Sequence, residues 1–275
     1  MLTALALIAF AANSVLCRLA LDEELIDAGS FTALRLLSGA LVLFLLINLK
    51  HKPKGDMTKG SWPASVMLFI YAVSFSYAYI TLDTGVGALI LFGAVQITMV
   101  LMTVWSGHRL TAFEGLGLLL AFAGFAYLML PGATTPSLLG FILMVLSGIA
   151  WGIYTLKGRS SKFPLMDTAY NFIRTIPMVA ILLFFSFNQT HISNEGILYA
   201  VLSGAIASGL GYTIWYMALV GLSAIHAAVL QLLVPVIAAI GGVLFVSEAI
   251  TLRLLLSSAV ILGGILLVTL KRKPT

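Results

Sequence analysis

The sequence predicts an all-α membrane protein of ten transmembrane helices, built as two five-helix repeats of inverted topology with both termini cytoplasmic. Three observations predict it. Hydrophobic residues make up 61% of the 275 and charged residues only 9%, where a soluble domain carries about 25% charged. Ten apolar windows joined by short connections each approach the roughly 20 residues that a bilayer-crossing helix needs. A weak internal repeat relates the first five windows to the last five. The mean hydropathy is +1.10, and no polar segment is large enough for a separate soluble domain. Helices are the expected form, because a bilayer offers no water to an open backbone.

The spans run at about 1–21, 28–49, 61–82, 85–105, 111–131, 136–156, 166–187, 195–219, 223–246 and 251–271. Span 1 lacks the basic leader of a signal peptide and is read as retained; it carries Asn13 and the lone Cys17, which makes neither a disulfide framework nor a thiol metal site. Span 2 contains Arg35. Span 3 places Tyr71, Ser74 and Tyr77 on one stripe, and span 4 places Gln96 on a face with Phe92, Met99 and Thr103. Span 5 is mostly Leu, Gly and Ala after Glu114. Span 6 has a Gly148/Gly152 pair, with Trp151 and Tyr154 on one face. Span 7 holds Asn171, Arg174 and Pro177. Span 8 has the small pair Gly204/Ser208, then Tyr212, Trp215 and Tyr216. Span 9 carries His226, Gln231 and Pro235, and span 10 the small pair Ala259/Gly263.

Charge sets the orientation. With the N-terminus inside, the inner connections hold Lys50, Lys52, Lys54, Lys59, Arg109, Lys157, Arg159 and Lys162, and the tail Lys271, Arg272 and Lys273. The outer connections hold Asp22, Glu23, Glu24, Asp27, Asp83, Glu195 and Glu248, with only Arg18 and Arg253 nearby. This is the positive-inside pattern. The net charge of +5 therefore reads as orientation in a lipid bilayer and not as nucleic-acid binding.

Laying residue n over n+139 puts Phe31-Thr-Ala-Leu-Arg35 on Tyr170-Asn-Phe-Ile-Arg174. Further on the offset becomes 140, placing Ala78 on Ala218, Leu82 on Leu222, Ala88 on Ala228 and Thr111 on Thr251. The units are residues 1–132 and 133–275. Five helices is an odd number, so the second unit enters from the opposite side, the arrangement of many secondary transporters with a site near the midplane.

The chain resembles the drug/metabolite transporter superfamily, in particular its ten-helix EamA-type members. The resemblance is carried by Ala150-Trp151-Gly152, by Leu233-Val234-Pro235-Val236, and by Ser247-Glu248-Ala249-Ile250-Thr251, which is similar to the family's Gly-Glu-Arg-hydrophobic-Thr ending. The first half departs from it: Val95 stands for a proline, His108 for a glutamate, and Asn13-Ser14 where Trp-Gly often stands. The resemblance implies export of small polar metabolites, often amino acids, by alternating access without ATP. The lack of a phosphate-binding loop motif agrees.

The candidate substrate-binding residues are Asn13, Tyr71, Tyr77, Gln96, Trp151, Tyr154, Tyr212 and Gln231. Pro235 frees the carbonyl of residue 231, which would bring a bare carbonyl and a side-chain amide together at membrane depth; the alternative is a kink with glutamine bonded to a neighbouring helix. Pro177 does the same to Ile173 beside Arg174. Spans 3, 4, 8 and 9 are expected to wall the cavity, spans 5 and 10 to serve as scaffold or homodimer surface.

Arg35, Arg174, Pro177 and Pro235 are assigned to gating or structure. A buried arginine is costly and needs acceptors, and no carboxylate lies mid-span, so hydroxyls, carbonyls or an anionic substrate group must serve. Arg18 is expected to reach Asp22 and Glu23. No cofactor and no metal are expected. An exchanger of anionic or phosphorylated metabolites is the alternative; a membrane enzyme is disfavoured by acids that are dispersed and peripheral.

Overall fold

The computed structural model describes residues 2–49, 58–107, 111–132, 135–158, 161–219 and 230–271. Leu222, Ala228, His108, His226, Lys50, Lys52, Lys54, Arg109, Arg159, Arg272 and Lys273 lie outside the described residues. The helices are α1 (Leu2–Asp22), α2 (Ala28–Leu49), α3 (Trp62–Tyr79), α4 (Thr84–Trp105), α5 (Ala112–Leu128) and α6 (Leu138–Gly158). They continue as α7 (Pro164–Arg174), α8 (Ile176–Ser186), α9 (Asn194–Val201), a π-helical stretch (Leu202–Leu210), α10 (Gly211–Leu219), α11 (Leu233–Phe245) and α12 (Leu252–Lys271). Among the described residues, seven helical stretches are long and apolar enough to cross a membrane, while Ala112–Leu128 and Leu233–Phe245 are shorter apolar helices. The chain is an integral, multi-pass, all-helical membrane protein.

The ends of the helices follow from local chemistry. Asp27 accepts from the Ser30 amide at 2.8 Å and starts α2. Ser61 accepts from the Ala64 amide ahead of α3, with Pro63 in the first turn. Thr111 and Glu114 form a reciprocal capping box on α5. Ser193 caps α9, and Thr251 accepts from the Leu254 amide at 3.1 Å to start α12. Each oxygen satisfies an amide that the first helical turn leaves unpaired.

Span 7, expected as one helix, breaks between Arg174 and Ile176, two residues before Pro177. The proline has no N–H for the preceding turn, and Thr175 turns its hydroxyl back to the Phe172 carbonyl at 2.7 Å. Span 9 turns at Leu232, ahead of Pro235. Span 8 departs further from a plain helix: nine of its residues are π-helical. The π turn is wider than the α turn and is seen most often at functional sites.

Packing pairs the two halves. Helix α6 lies against α3 and α4, while α1 lies against α9, the π-helical stretch, α10 and α11. Helix α2 crosses the π-helical stretch, and α7 crosses α3. Two further pairs join α4 to α11 and α5 to α12. At the α5–α12 crossing a Cβ on Gly117 would overlap the Gly264 carbonyl, and one on Gly264 would meet Gly117 in turn. The small residue at that contact is Gly264; Gly263, named in the expected pair, has open space beside it.

Both ends of the bundle are tied across the halves. At the acid-bearing end Ile26 and Ile192 form an antiparallel bridge, flanked by bonds from the Asp27 amide to the His191 carbonyl (2.9 Å) and from the Ser193 amide to the Leu25 carbonyl (2.8 Å). At the other end the Gly60 amide donates to Asp167 (2.7 Å) and the Ser61 amide to Asn171 (3.0 Å).

Candidate functional site

Between these ties lies a cluster of aromatic rings. Phe10 and Asn13 of α1, Tyr71 and Phe75 of α3, Leu91 and Phe92 of α4, Trp151 of α6 and Tyr212 of α10 enclose a void of ≈ 10 Å³, the size of one water. Trp151 is the hub, with its ring centroid 4.8 Å from Tyr71, 4.8 Å from Tyr212 and 5.4 Å from Tyr154. Phe10 closes the cluster from α1, 5.9 Å from Tyr212 and 6.3 Å from Trp151. The chamber is thus collapsed on itself, and a solute larger than water needs its walls to part.

One edge of this chamber is polar: the polar lining of the void is Asn13, Tyr71 and Tyr212, and Arg35 stands behind Tyr71 without lining the void itself. Arg35, 1% exposed, donates from Nη2 to the Tyr71 hydroxyl at 2.8 Å and from Nε to the Ser208 hydroxyl at 3.4 Å. Its guanidinium also lies 4.6 Å from the Phe75 ring centroid and 5.1 Å from that of Tyr71. Asn13 donates to the same Tyr71 oxygen at 3.3 Å and accepts from Ser203. Ser203 and Ser208 are five residues apart. An α-helix of 3.6 residues per turn would send them to different faces, whereas the π-helical stretch turns both towards α1 and α2. Gly204 permits the close approach, since a Cβ there would overlap the Arg35 carbonyl.

Of the eight proposed substrate-binding residues, Asn13, Tyr71, Trp151, Tyr154 and Tyr212 are brought together here. Gln96 and Gln231 are not. They bond to each other, Nε2 to Oε1 at 3.4 Å, where α4 meets the turn before α11, one turn beyond Phe92. Tyr77 lies apart as well, in a recess of ≈ 300 Å³ at the acid-bearing end beside Asp27, Glu24 and His191. Phe10, Phe75 and Ser203 join the cluster without having been singled out, and Ser208, named only as half of a small pair for helix packing, joins it through its bond from Arg35. Phe10 sits three residues before Asn13 and so on the same helix face, a signal that could have been used. The serines gave none, because an α-helical reading separates them.

The two arginines, aligned in the repeat, have different surroundings. Arg174 is half-buried, donates to the Lys59 carbonyl, and lies 5.9 Å from the Trp62 ring centroid and 6.0 Å from that of Tyr170. It ties α7 to the start of α3 and is not part of the chamber. Arg18 does more than the expected reach to nearby acids. It pairs with Asp22 at 2.6 Å and with Glu248 at 3.4 Å, and donates to the Tyr79 carbonyl at 3.1 Å; Glu23 is not among its partners. Glu248 in turn accepts from the Thr84 amide at 2.8 and 2.9 Å and from the Thr84 hydroxyl at 2.9 Å, capping α4 from the opposite half. Burial pushes the Glu248 carboxyl above the usual glutamate range, against the pull of the Thr84 bonds, with Asp83 adding to the rise and Arg18 opposing it. Among the described residues no cluster of histidine, cysteine and carboxylate side chains could hold a metal.

Known proteins resemble this chain along its length. Residues 138–270 match the model of the EamA-like transporter family. An uncharacterized protein of Pseudomonas aeruginosa is 50% identical over 272 residues, 99% of this chain and 94% of that one. An uncharacterized transporter of Archaeoglobus fulgidus is 26% identical over 74% of each chain. The uncharacterized transporter YoaV of Bacillus subtilis is 21% identical over 87% of this chain and 86% of its own. A solved crystal structure superposes with a TM-score of 0.63 at 19% identity, covering 98% of this chain and 99% of the other, which is a likeness of fold.

Proposed function

The chain belongs to the EamA-like transporter family, and from that premise we propose that it is a secondary transporter, an exporter of small polar metabolites, moving them by alternating access through the Trp151 chamber. The observation that carries this reading is the chamber's composition. Phe10, Asn13 and Tyr71 from one half and Trp151 and Tyr212 from the other enclose one space, with ties across the halves at either end. Opening one set of ties while holding the other would expose the space to one side at a time.

We further propose that residues 1–132 and 133–275 form two five-helix units inserted in opposite senses, making ten crossings with both termini cytoplasmic. The reciprocal packing supports this. The contact of α6 with α3 is answered by that of α1 with the π-helical stretch and α10. The contact of α6 with α4 is answered by α1 with α11, and that of α2 with the π-helical stretch by α7 with α3. The placement of basic and acidic connections gives the sense of insertion, and a bacterial cytoplasmic membrane is the proposed location. The face that α5 and α12 leave exposed, with Leu119, Phe122 and Leu255, is lipid-facing or the surface of a homodimer.

Amino acids and related compounds are the first substrates to test, with the purified protein in liposomes and a panel of labelled compounds. Trp151→Ala is expected to lower flux of the transported compound by about tenfold or more, which corresponds to about 1.4 kcal/mol. Gln96→Ala, outside the aromatic cluster, should do less. Unaltered flux in Trp151→Ala for every transported compound would remove the chamber from the transport route. Transport is proposed to run down the substrate's own gradient or to couple only loosely to protons, since among the described residues the buried polar centre contains no carboxylate or histidine to relay protons; flux that collapses without a pH gradient would overturn that part.

A further inference from the structure

We propose that the polar edge of the chamber binds a single carboxylate group of the transported compound, held by Arg35 with the hydroxyls of Tyr71 and Tyr212. This rests on the reading of the chamber as the transport site and adds the chemistry of what is recognised there. The argument begins with an unsatisfied charge. Arg35 is buried, and among the described residues it forms no ion pair. The guanidinium Nη1 is buried without a hydrogen-bond partner, and so is the Tyr212 hydroxyl. Ring faces of Phe75 and Tyr71 offset part of the cost of such a charge, but they supply no acceptor for Nη1.

The directions of the bonds then select the ligand. Tyr71 accepts from both Arg35 and Asn13, which leaves its own proton to donate. Asn13 already accepts from Ser203 through its carbonyl oxygen. The cluster therefore has a charged donor to spare, Nη1 of Arg35, together with the hydroxyls of Tyr71 and Tyr212, and the acceptors it retains, among them the Tyr212 oxygen and the second lone pair of Asn13 Oδ1, are uncharged. A carboxylate is acceptor-only and takes bidentate donation from a guanidinium. A neutral amide or alcohol can meet the hydroxyls but brings no negative charge, and leaves the buried guanidinium uncompensated.

One positive charge balances one negative charge. Arg174 is held at Lys59 and Trp62 and cannot serve as a second cation here, so a phosphate dianion would be buried half-compensated, a costly state. The rings of Phe10, Trp151 and Tyr212 supply the apolar wall against which the body of the ligand lies. The ligand class is thus a monocarboxylate with an apolar or aromatic body.

The test uses three probes of one shape that differ in the head group: phenylacetate, phenylacetamide and phenyl phosphate. Trp151 and Trp215 both contact Phe10, so tryptophan fluorescence of the purified full-length protein reports occupancy, and counterflow in liposomes reports transport. Phenylacetate is expected to bind about tenfold or more tightly than either other probe. Tyr212→Phe, which removes only the unpartnered hydroxyl and keeps the ring, should weaken phenylacetate about tenfold and phenylacetamide, whose carbonyl accepts only a neutral bond, by clearly less. Arg35→Gln should abolish the preference for the acid; if that variant does not fold, the Tyr212→Phe comparison stands alone as the decision. Equal binding of acid and amide, tighter binding of phenyl phosphate, or no response to phenylacetate overturns the proposal. If the amide is carried as fast as the acid, the transport reading survives and the carboxylate site falls. If the acid binds by this pattern without being carried, the carboxylate site stands and the transport reading falls.

Discussion

At the scale of single residues, the decisive feature is the Tyr71 hydroxyl, which takes bonds from Arg35 on α2 and Asn13 on α1 at once. Removing that oxygen leaves Nη2 of a buried guanidinium without its acceptor. Tyr71→Phe is therefore expected to destabilise the protein by about 1–3 kcal/mol, measured as a lower unfolding free energy in detergent. Arg174→Ala, at a half-buried arginine bonded to the Lys59 carbonyl, should cost less than about 1 kcal/mol. The reverse ranking would show that the aligned arginines had been assigned to the wrong roles. Sequence alone made both arginines conspicuous, because each is a charge inside an apolar run. It could not separate them, since their surroundings are set by what packs opposite: Ser208 and Tyr71 for one, Lys59 and Trp62 for the other.

At the scale of elements, Glu248 joins the connection between α11 and α12 to the first turn of α4, through the Thr84 amide and hydroxyl. Its carboxyl sits above the usual glutamate range because burial outweighs those bonds. The linkage sign follows: the tied state binds a proton more readily than an open state with Glu248 in water. Its advantage is present at pH below the ordinary glutamate value and is lost as pH rises through the raised one. Acidification should then favour the tied state, and Glu248→Gln should flatten that dependence. Site-directed labelling of a cysteine placed at the exposed Ile250, which leaves Asp83 in place, followed across pH, would read both; a profile with native Glu248 as flat as that with Glu248→Gln would dismiss Glu248 as the titrating group. Elements were legible in proportion to how local their causes are. The caps at Ser61, Thr111 and Ser193 and the breaks before Pro177 and Pro235 are chemistry of neighbouring residues and stand in the sequence. The π-helical stretch does not, because Leu202–Leu210 reads as an ordinary apolar helix. Its register is fixed by the bonds of Ser203 to Asn13 and Ser208 to Arg35, far away in the chain. The bond of Gln96 to Gln231 is the alternative that the sequence left open, glutamine tied to a neighbouring helix: two amides near mid-span can face a cavity or each other, and only the contact of α4 with α11 decides.

At the scale of the whole molecule, alternating access demands that the ties at one end break while those at the other hold, and this can be forced. Ile26 and Ile192 form an antiparallel bridge whose flanking bonds run between residues 25 and 193 and between residues 27 and 191. That is the pair type in which the two residues share no hydrogen bond and their Cα atoms approach to about 4.5 Å, inside the range that a disulfide spans. The native Cys17 is buried and should not compete. In Ile26→Cys/Ile192→Cys, oxidation should therefore link the connection before α2 to that before α9 without distorting either. The proposed cycle opens this end in every turnover, so the oxidised double variant should lose flux by at least about tenfold, with recovery on reduction. Each single variant should transport under both conditions. Accessibility would separate a locked gate from a damaged protein: a cysteine introduced at Lys59, at the opposite end, should stay reactive in the oxidised form and respond to substrate. A cross-linked protein that transports at the rate of its reduced form would mean that the halves need not part at this end, and a pathway that leaves the Ile26–Ile192 bridge intact would have to replace the rocking of one half against the other.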